Sequence, residues 1–162
     1  MSTLVVVRHA KAEQFGPADH ERALTERGLA DAAAAGRWLA GQGIAPATAL
    51  VSTALRTRQT WSQLAQAAGW DLEPWLDSSL YAADPDTVLD LLRALPDEPA
   101  TVVLVGHNPT MAYLAQLLDD GTSGRLMGEF ATSAIAVLSY DGGWADLDAG
   151  SCRLADFHLA RG

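Results

Sequence analysis

Cysteine occurs once in the 162 residues, at Cys152, so no intramolecular disulfide framework is available and a reducing compartment is expected. Basic residues are scarce too: 11 Lys and Arg stand against 20 Asp and Glu, a formal net charge of −9. That shortage argues against a nucleic-acid surface, which needs clustered cations. No apolar run approaches the ~20 residues that cross a bilayer, so no membrane association is expected. The apolar stretch Leu4–Val7 ends at once in Arg8 and His9, too soon for a signal-peptide core, and a cytoplasmic location is the expectation. There are four histidines, none in a His-x-x-x-His spacing that would suggest a metal site. Repeats and low-complexity tracts are also missing. What remains is 49% apolar and 19% charged, enough for one domain with a core over residues 1–162.

The apolar runs organise that domain. Thr3–Val7 is continuously apolar, the pattern of a strand covered on both faces. Thr25 suits an N-cap for a helix to about Ala40, with Leu29, Ala32, Ala33 and Gly36 on one face. Thr48–Ser52 reads as a second strand, and Thr53 as the cap of a helix that Gly69 stops after about Ala68. A loop containing Pro74 follows, then Asp84-Pro85 opens a helix with Val88, Leu91, Leu92 and Leu95 inward. Thr101–Val105 repeats the buried-strand pattern, and Asn108-Pro109 opens a helix burying Met111, Leu114, Ala115 and Leu118. Ala134–Tyr140 and Arg153–His158 read as closing strands, with a hairpin turn at Asp141-Gly142-Gly143. This order predicts an α/β fold, a three-layer α/β/α sandwich with a mostly parallel central sheet and an antiparallel C-terminal tail.

In such sheets ligands bind beyond the carboxyl ends of the strands. Arg8 and His9, Arg56, and His107 each follow one of the buried-strand patterns, so two imidazoles and two guanidiniums are expected on one rim. An arginine that ends an apolar strand is costly to bury without an anion, and Arg8 has no acidic residue within two positions. His107 stands before a helix N-terminus, where free N–H groups favour a negative ligand. Arg56 and Arg58 lie about 200° apart on one helix, so only one of them faces the pocket easily. The residue types suit phosphoryl transfer. An imidazole nitrogen of His9 attacks phosphorus, the guanidiniums hold the equatorial oxygens and lower the pKa of His9, and His107 adds a donor. Two guanidiniums would repel a divalent cation, so neither a metal nor any other cofactor is expected. His20 and His158 read as surface or packing residues, the tryptophans as core and rim packing, and Cys152 as a poor nucleophile.

Leu4-Val5-Val6-Val7-Arg8-His9-Ala10, Ser52-Thr53-Ala54-Leu55-Arg56-Thr57-Arg58-Gln59-Thr60 and Val105-Gly106-His107-Asn108 resemble the three hallmark blocks of the histidine phosphatase superfamily, also called phosphoglycerate-mutase-like. Arg8-His9-Ala10-Lys11, the short chain, and Leu24-Thr25-Glu26-Arg27-Gly28 look most like its phosphohistidine phosphatase SixA branch. The resemblance implies that His9 is the phosphorylated nucleophile and that Arg8, Arg56 and His107 complete a substrate-binding phosphate pocket, which selects Arg56 over Arg58. Two departures stand out. Ala10 replaces the usual glycine, tolerable if its φ is negative. Matching on Pro74 and Leu76 puts Ser78, with Asp77 beside it, where many relatives carry an acidic proton donor.

A missing acid tilts the substrate toward phosphoramidates, because imidazole leaves more easily than an alcohol. The compact chain also lacks a long insertion to roof the pocket, so a histidine displayed on a protein can enter. The leading expectation is therefore a metal-independent phosphatase acting on phosphohistidine in proteins, in a signal-transduction or phosphotransfer setting, with the enzyme itself a monomer. The alternatives are a small-molecule phosphomonoesterase, with Asp77 or another loop carboxylate as acid, and a phosphate-binding protein without turnover. A mutase fits less well, since it needs a closed pocket.

Overall fold

The computed structural model describes residues 1–162. Six strands form one sheet: β1 (Ser2–Arg8), β2 (Thr48–Ser52), β3 (Trp75–Asp77), β4 (Thr101–Gly106), β5 (Ala134–Tyr140) and β6 (Arg153–Leu159). Their order is β3-β2-β4-β1-β5-β6. The first four are mutually parallel, β5 runs antiparallel to β1, and β6 antiparallel to β5. The helices are α1 (Glu26–Gly41), α2 (Leu55–Ala68), α3 (Pro85–Arg93) and α4 (Thr110–Leu118).

Alternation along the strands builds two cores. Leu4 and Val6 of β1 point into the one with α3 and α4, where Val88, Leu92, Leu114 and Leu118 are buried. Val5 and Val7 point the other way, against Leu39 of α1 and Trp61 and Leu64 of α2. A strand buried on both faces must be apolar throughout, which is why TLVVV, TALVS and TVVLV show no polar alternation. The sandwich therefore has helices on both faces of a mostly parallel sheet with an antiparallel C-terminal edge.

Local signals act mostly as expected. Thr25 Oγ1 accepts from Gly28 N, Asp84 accepts from Thr87 N with Pro85 in the first turn, and Gly69 ends α2 in the left-handed conformation. Four expectations need correction. Thr53 does not cap α2; its hydroxyl bonds His20 Nε2 at 2.9 Å, and Ala54 stands at the cap position. Asn108 does not cap α4, because its side-chain amide donates to Phe130 O at 2.6 Å and the helix starts at Thr110. The Asp141–Gly143 segment is no tight hairpin: the link to β6 runs on through a 3-10 turn at Trp144–Asp146. Trp144 is fully buried there and donates from Nε1 to Pro99 O at 2.8 Å, which draws the chain inward. Finally, the Pro74 loop leads into β3, paired with β2 through Leu50, Val51 and Ser52. Its Trp75 and Leu76 are exposed, so no burial pattern marks it.

Candidate active site

The parallel ladder carries the first histidine to the rim. His9 N donates to Gly106 O at 3.0 Å, continuing the β1–β4 pairing, and His9 O accepts from Ser133 N at 3.1 Å. Ala10 N donates to Thr60 Oγ1 at 3.0 Å, and that hydroxyl donates to Arg56 O at 2.7 Å, which ties the end of β1 to α2. Ala10 is fully buried and is not among the residues with positive φ, so the added methyl is accommodated. Lys11 O accepts from Thr25 N at 2.9 Å, and Gly28 is required beside it, because a Cβ there would lie 2.1 Å from that oxygen.

Arg8, His9, Arg56 and His107 line one cavity of about 310 Å³, together with Lys11, Ala12, Arg22, Asn108 and Thr132. These first four are the residues that the strand-end reasoning grouped on one rim. His9, Arg56 and His107 are 8%, 6% and 9% exposed, so all three meet the cavity with only an edge. The imidazole centroids of His9 and His107 stand 5.4 Å apart. His9 Nδ1 lies 2.7 Å from Ala10 O, an acceptor, so Nδ1 carries the proton and donates. Nε2 bears the lone pair, makes no bond to protein and is open to the cavity. Burial is the main reason that the His9 pKa falls from 6.5 to about 4, with Arg56 and Arg8 next among the lowering causes. The expected guanidinium effect is real but secondary.

His107 Nε2 is paired with Ser52 Oγ at 2.8 Å, and its Nδ1 is buried without a partner. Burial first, then His9 and Arg56, lower its pKa to about 3. Arg56 donates from Nη1 to Asp19 O at 2.8 Å and from Nη2 to Asp19 Oδ2 at 3.2 Å, while its Nε stays unpartnered. Arg8 donates to Phe130 O at 3.3 Å and also keeps a buried, unpartnered Nε. Unpartnered guanidinium and imidazole nitrogens around one cavity are what an oxyanion would satisfy.

Asp19 was not singled out from the sequence. Its carboxylate accepts from Arg22 Nε at 3.0 Å, from Arg56 and from the Tyr81 hydroxyl. The Tyr81 hydrogen bond, followed by those from the arginines, holds it well below the usual carboxylate range. Arg22, Asn108, Thr132 and Ser52 were also missed as site residues; they sit in irregular segments or at a strand end, where no periodicity tells which way a side chain points. Arg58 turns away, donating to Thr53 O at 2.9 Å. Asp77 and Ser78 do not line the cavity. The Asp77 carboxylate accepts from Ser79 N at 2.9 Å and Ser79 Oγ at 2.6 Å, capping a short 3-10 turn. His20 is more than a surface residue: it bonds Thr53 and meets Tyr81 edge-on at 4.8 Å. His158 packs flat on Trp38. Cys152 is buried, with its pKa pushed up to about 11, as a poor nucleophile should be. No group of three or more His, Cys, Asp or Glu side chains is arranged to hold a metal, and no helix is long and apolar enough to cross a membrane.

The model of the histidine phosphatase superfamily (branch 1) matches residues 4–81. Phosphohistidine phosphatase SixA of Escherichia coli is 30% identical over 145 residues, covering 84% of this chain and 84% of that protein. The chain therefore belongs to the histidine phosphatase superfamily. Among its relatives, the uncharacterized protein Rv1276c of Mycobacterium tuberculosis is 39% identical over 96% of this chain and all of that one. Among solved structures, a protein of Nakamurella multipartitia put forward as a phosphohistidine phosphatase SixA superposes with a TM-score of 0.85 at 35% identity, covering 98% of this chain and 96% of that one. The protein histidine phosphatase SixA complexed with tungstate gives a TM-score of 0.82 at 26% identity, covering 97% and 96%.

Proposed function

We propose that this protein is a metal-independent phosphatase that uses His9 as its nucleophile and removes phosphate from phosphohistidine in proteins. The observation that carries this reading is a neutral His9 whose Nε2 opens on a cavity lined by the four cations Arg8, Lys11, Arg22 and Arg56. Nε2 attacks phosphorus in line with the leaving group. The new P–N bond forms as the bond to the substrate imidazole breaks, and the electron pair departs with that ring, which leaves as neutral imidazole because its other nitrogen is already protonated from solvent. Arg8 and Arg56 hold the equatorial oxygens with their free N–H donors. In the Nδ1–H tautomer of neutral His107, whose Nε2 accepts from the Ser52 hydroxyl 2.8 Å away, the Nδ1 proton serves the same charge. Water then attacks the phosphorylated His9, releasing phosphate and restoring the imidazole.

The choice of phosphohistidine rests on what surrounds the leaving group. No carboxylic acid lines the cavity, and Asp19 at its edge is held ionised by Tyr81, Arg22 and Arg56. An alcohol needs an enzyme acid beside its departing oxygen, whereas the second nitrogen of a phosphohistidine ring takes its proton from water before the P–N bond breaks. Asp77, the acid that a phosphomonoesterase would call on, is occupied by Ser79. The likeness to SixA, and the tetrahedral oxyanion that one SixA structure holds, support the same reading.

Incubation with a phosphohistidine-bearing protein domain should release inorganic phosphate and leave an acid-labile phosphoryl group on the enzyme. His9→Ala should reduce both by at least about 10³-fold while the fold persists. Phosphate-dependent thermal stabilisation without covalent labelling would instead mark a binding protein. Turnover of an alkyl phosphate that Asp77→Ala abolishes would mark the phosphomonoesterase.

A further inference from the structure

Beside the phosphate cavity lies a second one of about 460 Å³, lined by Lys11, Arg27, Asp31, Thr132 and Arg161. The two adjoin, since Lys11 and Thr132 line both. Of the chain's 11 Lys and Arg, six are gathered around these cavities: Arg8, Lys11, Arg22, Arg27, Arg56 and Arg161. A protein of net charge −9 that concentrates its few cations in one place builds a local field opposite to its overall one.

The second cavity has a construction of its own. Asp31 is buried in α1 and holds two guanidiniums, Arg27 Nε at 3.1 Å and Arg161 Nη1 at 3.7 Å. Its Oδ1 also accepts from Gly162 N at 2.9 Å. Arg161 Nη1 is fixed further by Thr132 O at 2.9 Å and Ala160 O at 2.7 Å. These bonds engage one nitrogen of each arginine. The remaining guanidinium donors, and the Lys11 ammonium, bond to no protein group. Asp31 is the only acidic residue lining the cavity, so one carboxylate faces three cations. Such an excess is not needed to satisfy Asp31.

We infer that this cavity is a subsite for carboxylate side chains that flank the phosphorylated residue of an acidic protein substrate. The inference rests on the proposed phosphohistidine phosphatase reading and narrows it to a class of partner. A protein surface fits better than a small metabolite because the cations stand open: Arg27 is 57% exposed at its side chain. A third depression shares Lys11 and runs to Phe15, an aromatic ring 86% exposed, which offers a docking face an apolar contact as well. Asp31 acts here as a positioning residue, holding the two guanidiniums in one orientation.

The test compares two phosphohistidine peptides of equal length, one with Asp and Glu flanking the phosphorylated residue and one with Asn and Gln. The wild-type enzyme should favour the acidic peptide in kcat/KM by about fivefold to tenfold. Arg27→Gln and Arg161→Gln, made separately so that Asp31 keeps one partner, should each reduce that ratio toward unity. A second measurement needs no turnover: an unphosphorylated acidic peptide is titrated into each protein with inorganic phosphate present. It should bind the wild type, shift backbone resonances at Lys11, Arg27 and Thr132, and bind the variants more weakly. Equal turnover of the two peptides, with no binding of the acidic one, overturns the subsite and leaves the phosphatase reading intact. Binding that the variants lose, without turnover of either phosphopeptide, upholds the subsite and overturns the phosphatase reading. Displacement of phosphate by a small bisphosphate where the acidic peptide has no effect overturns the protein partner.

Discussion

Asp19 does for Arg56 what no neighbour in sequence could, holding two of its three nitrogens from a separate loop. Its carboxylate also competes with phosphate for the same guanidinium, so the sign of its effect has to be argued. The main-chain bond from Arg56 Nη1 survives any change at the side chain, but Arg22 and Tyr81 are both oriented by the carboxylate. Orientation of three groups outweighs competition for one N–H. Asp19→Asn should therefore lower kcat/KM by about tenfold, with both a lower kcat and a higher KM in steady-state kinetics. Tighter phosphate binding in that variant would reverse the assignment. The two histidines yield a second expectation. Folded pKa values of about 4 for His9 and about 3 for His107 lie below the 6.5 of free imidazole. Between those limits the unfolded chain binds more protons than the folded one, so stability rises with pH across the window and is lost as pH falls through it. For His9 alone the effect is roughly 3 kcal/mol. Thermal unfolding should show Tm falling steadily from about pH 6.5 to about pH 4, and His9→Gln should flatten part of the slope. A pH-independent Tm over that range would mean that the imidazoles are not buried as described.

At the level of elements, the packing of α1 on both α2 and the loop after His9 turns on two glycines. A Cβ at Gly36 would lie 2.0 Å from Leu64 O, and one at Gly28 would lie 2.1 Å from Lys11 O. Backbone oxygens cannot swing aside as side chains do, so each methyl forces α1 to move, at a cost of about 3 kcal/mol. Gly36→Ala should lower Tm in calorimetry yet leave kcat/KM of the folded enzyme near its original value, because α2 keeps Arg56 at its own N-terminus. Gly28→Ala should lower both, since the carbonyl it displaces belongs to the loop that follows His9. Loss of activity without loss of stability in Gly36→Ala would show the helix pair coupled directly to the site. The same elements indicate what a sequence discloses. Strands buried on both faces and helices with Thr25, Asp84 or Gly69 at their ends were legible, because each is decided by local chemistry. β3 was not, since a three-residue edge strand with Trp75 and Leu76 exposed exists only through pairing with β2. Thr53 and Asn108 look like caps but bond to His20 and Phe130 instead. Tertiary partners outbid the helix ends there.

For the whole molecule, the sheet order is what makes four distant residues one site. β1 and β4 are neighbours, which brings His9 beside His107, and β2 next to β4 delivers Arg56 at the start of α2. That convergence could be reasoned from strand ends alone, whereas Arg22, Asp19 and the meeting of Lys11 and Arg161 with Arg27 of α1 could not, since irregular segments set the directions of all but Arg27. Charge distribution adds a property that belongs to no single residue. At low ionic strength, about 0.01 M, the Debye length of ~30 Å lets an approaching phosphate dianion feel the net −9 of the entire chain. Near 0.15 M, at ~8 Å, the distant acidic groups are screened and the cations around the cavities dominate. At about 1 M, with ~3 Å, even those are muted. kcat/KM should therefore rise from about 0.01 M to about 0.15 M and fall again toward 1 M, measured in chloride salts because sulfate and phosphate compete for the cavity. Arg27→Gln alone, which leaves Asp31 its Arg161 partner, should weaken the falling limb, where local cations supply the attraction, and change the rising limb little, because that limb comes from the remote acidic surface. A monotonic fall from the lowest salt would mean that the basic mouth outweighs the net charge at every distance, and the acidic surface would then have no part in how substrates arrive.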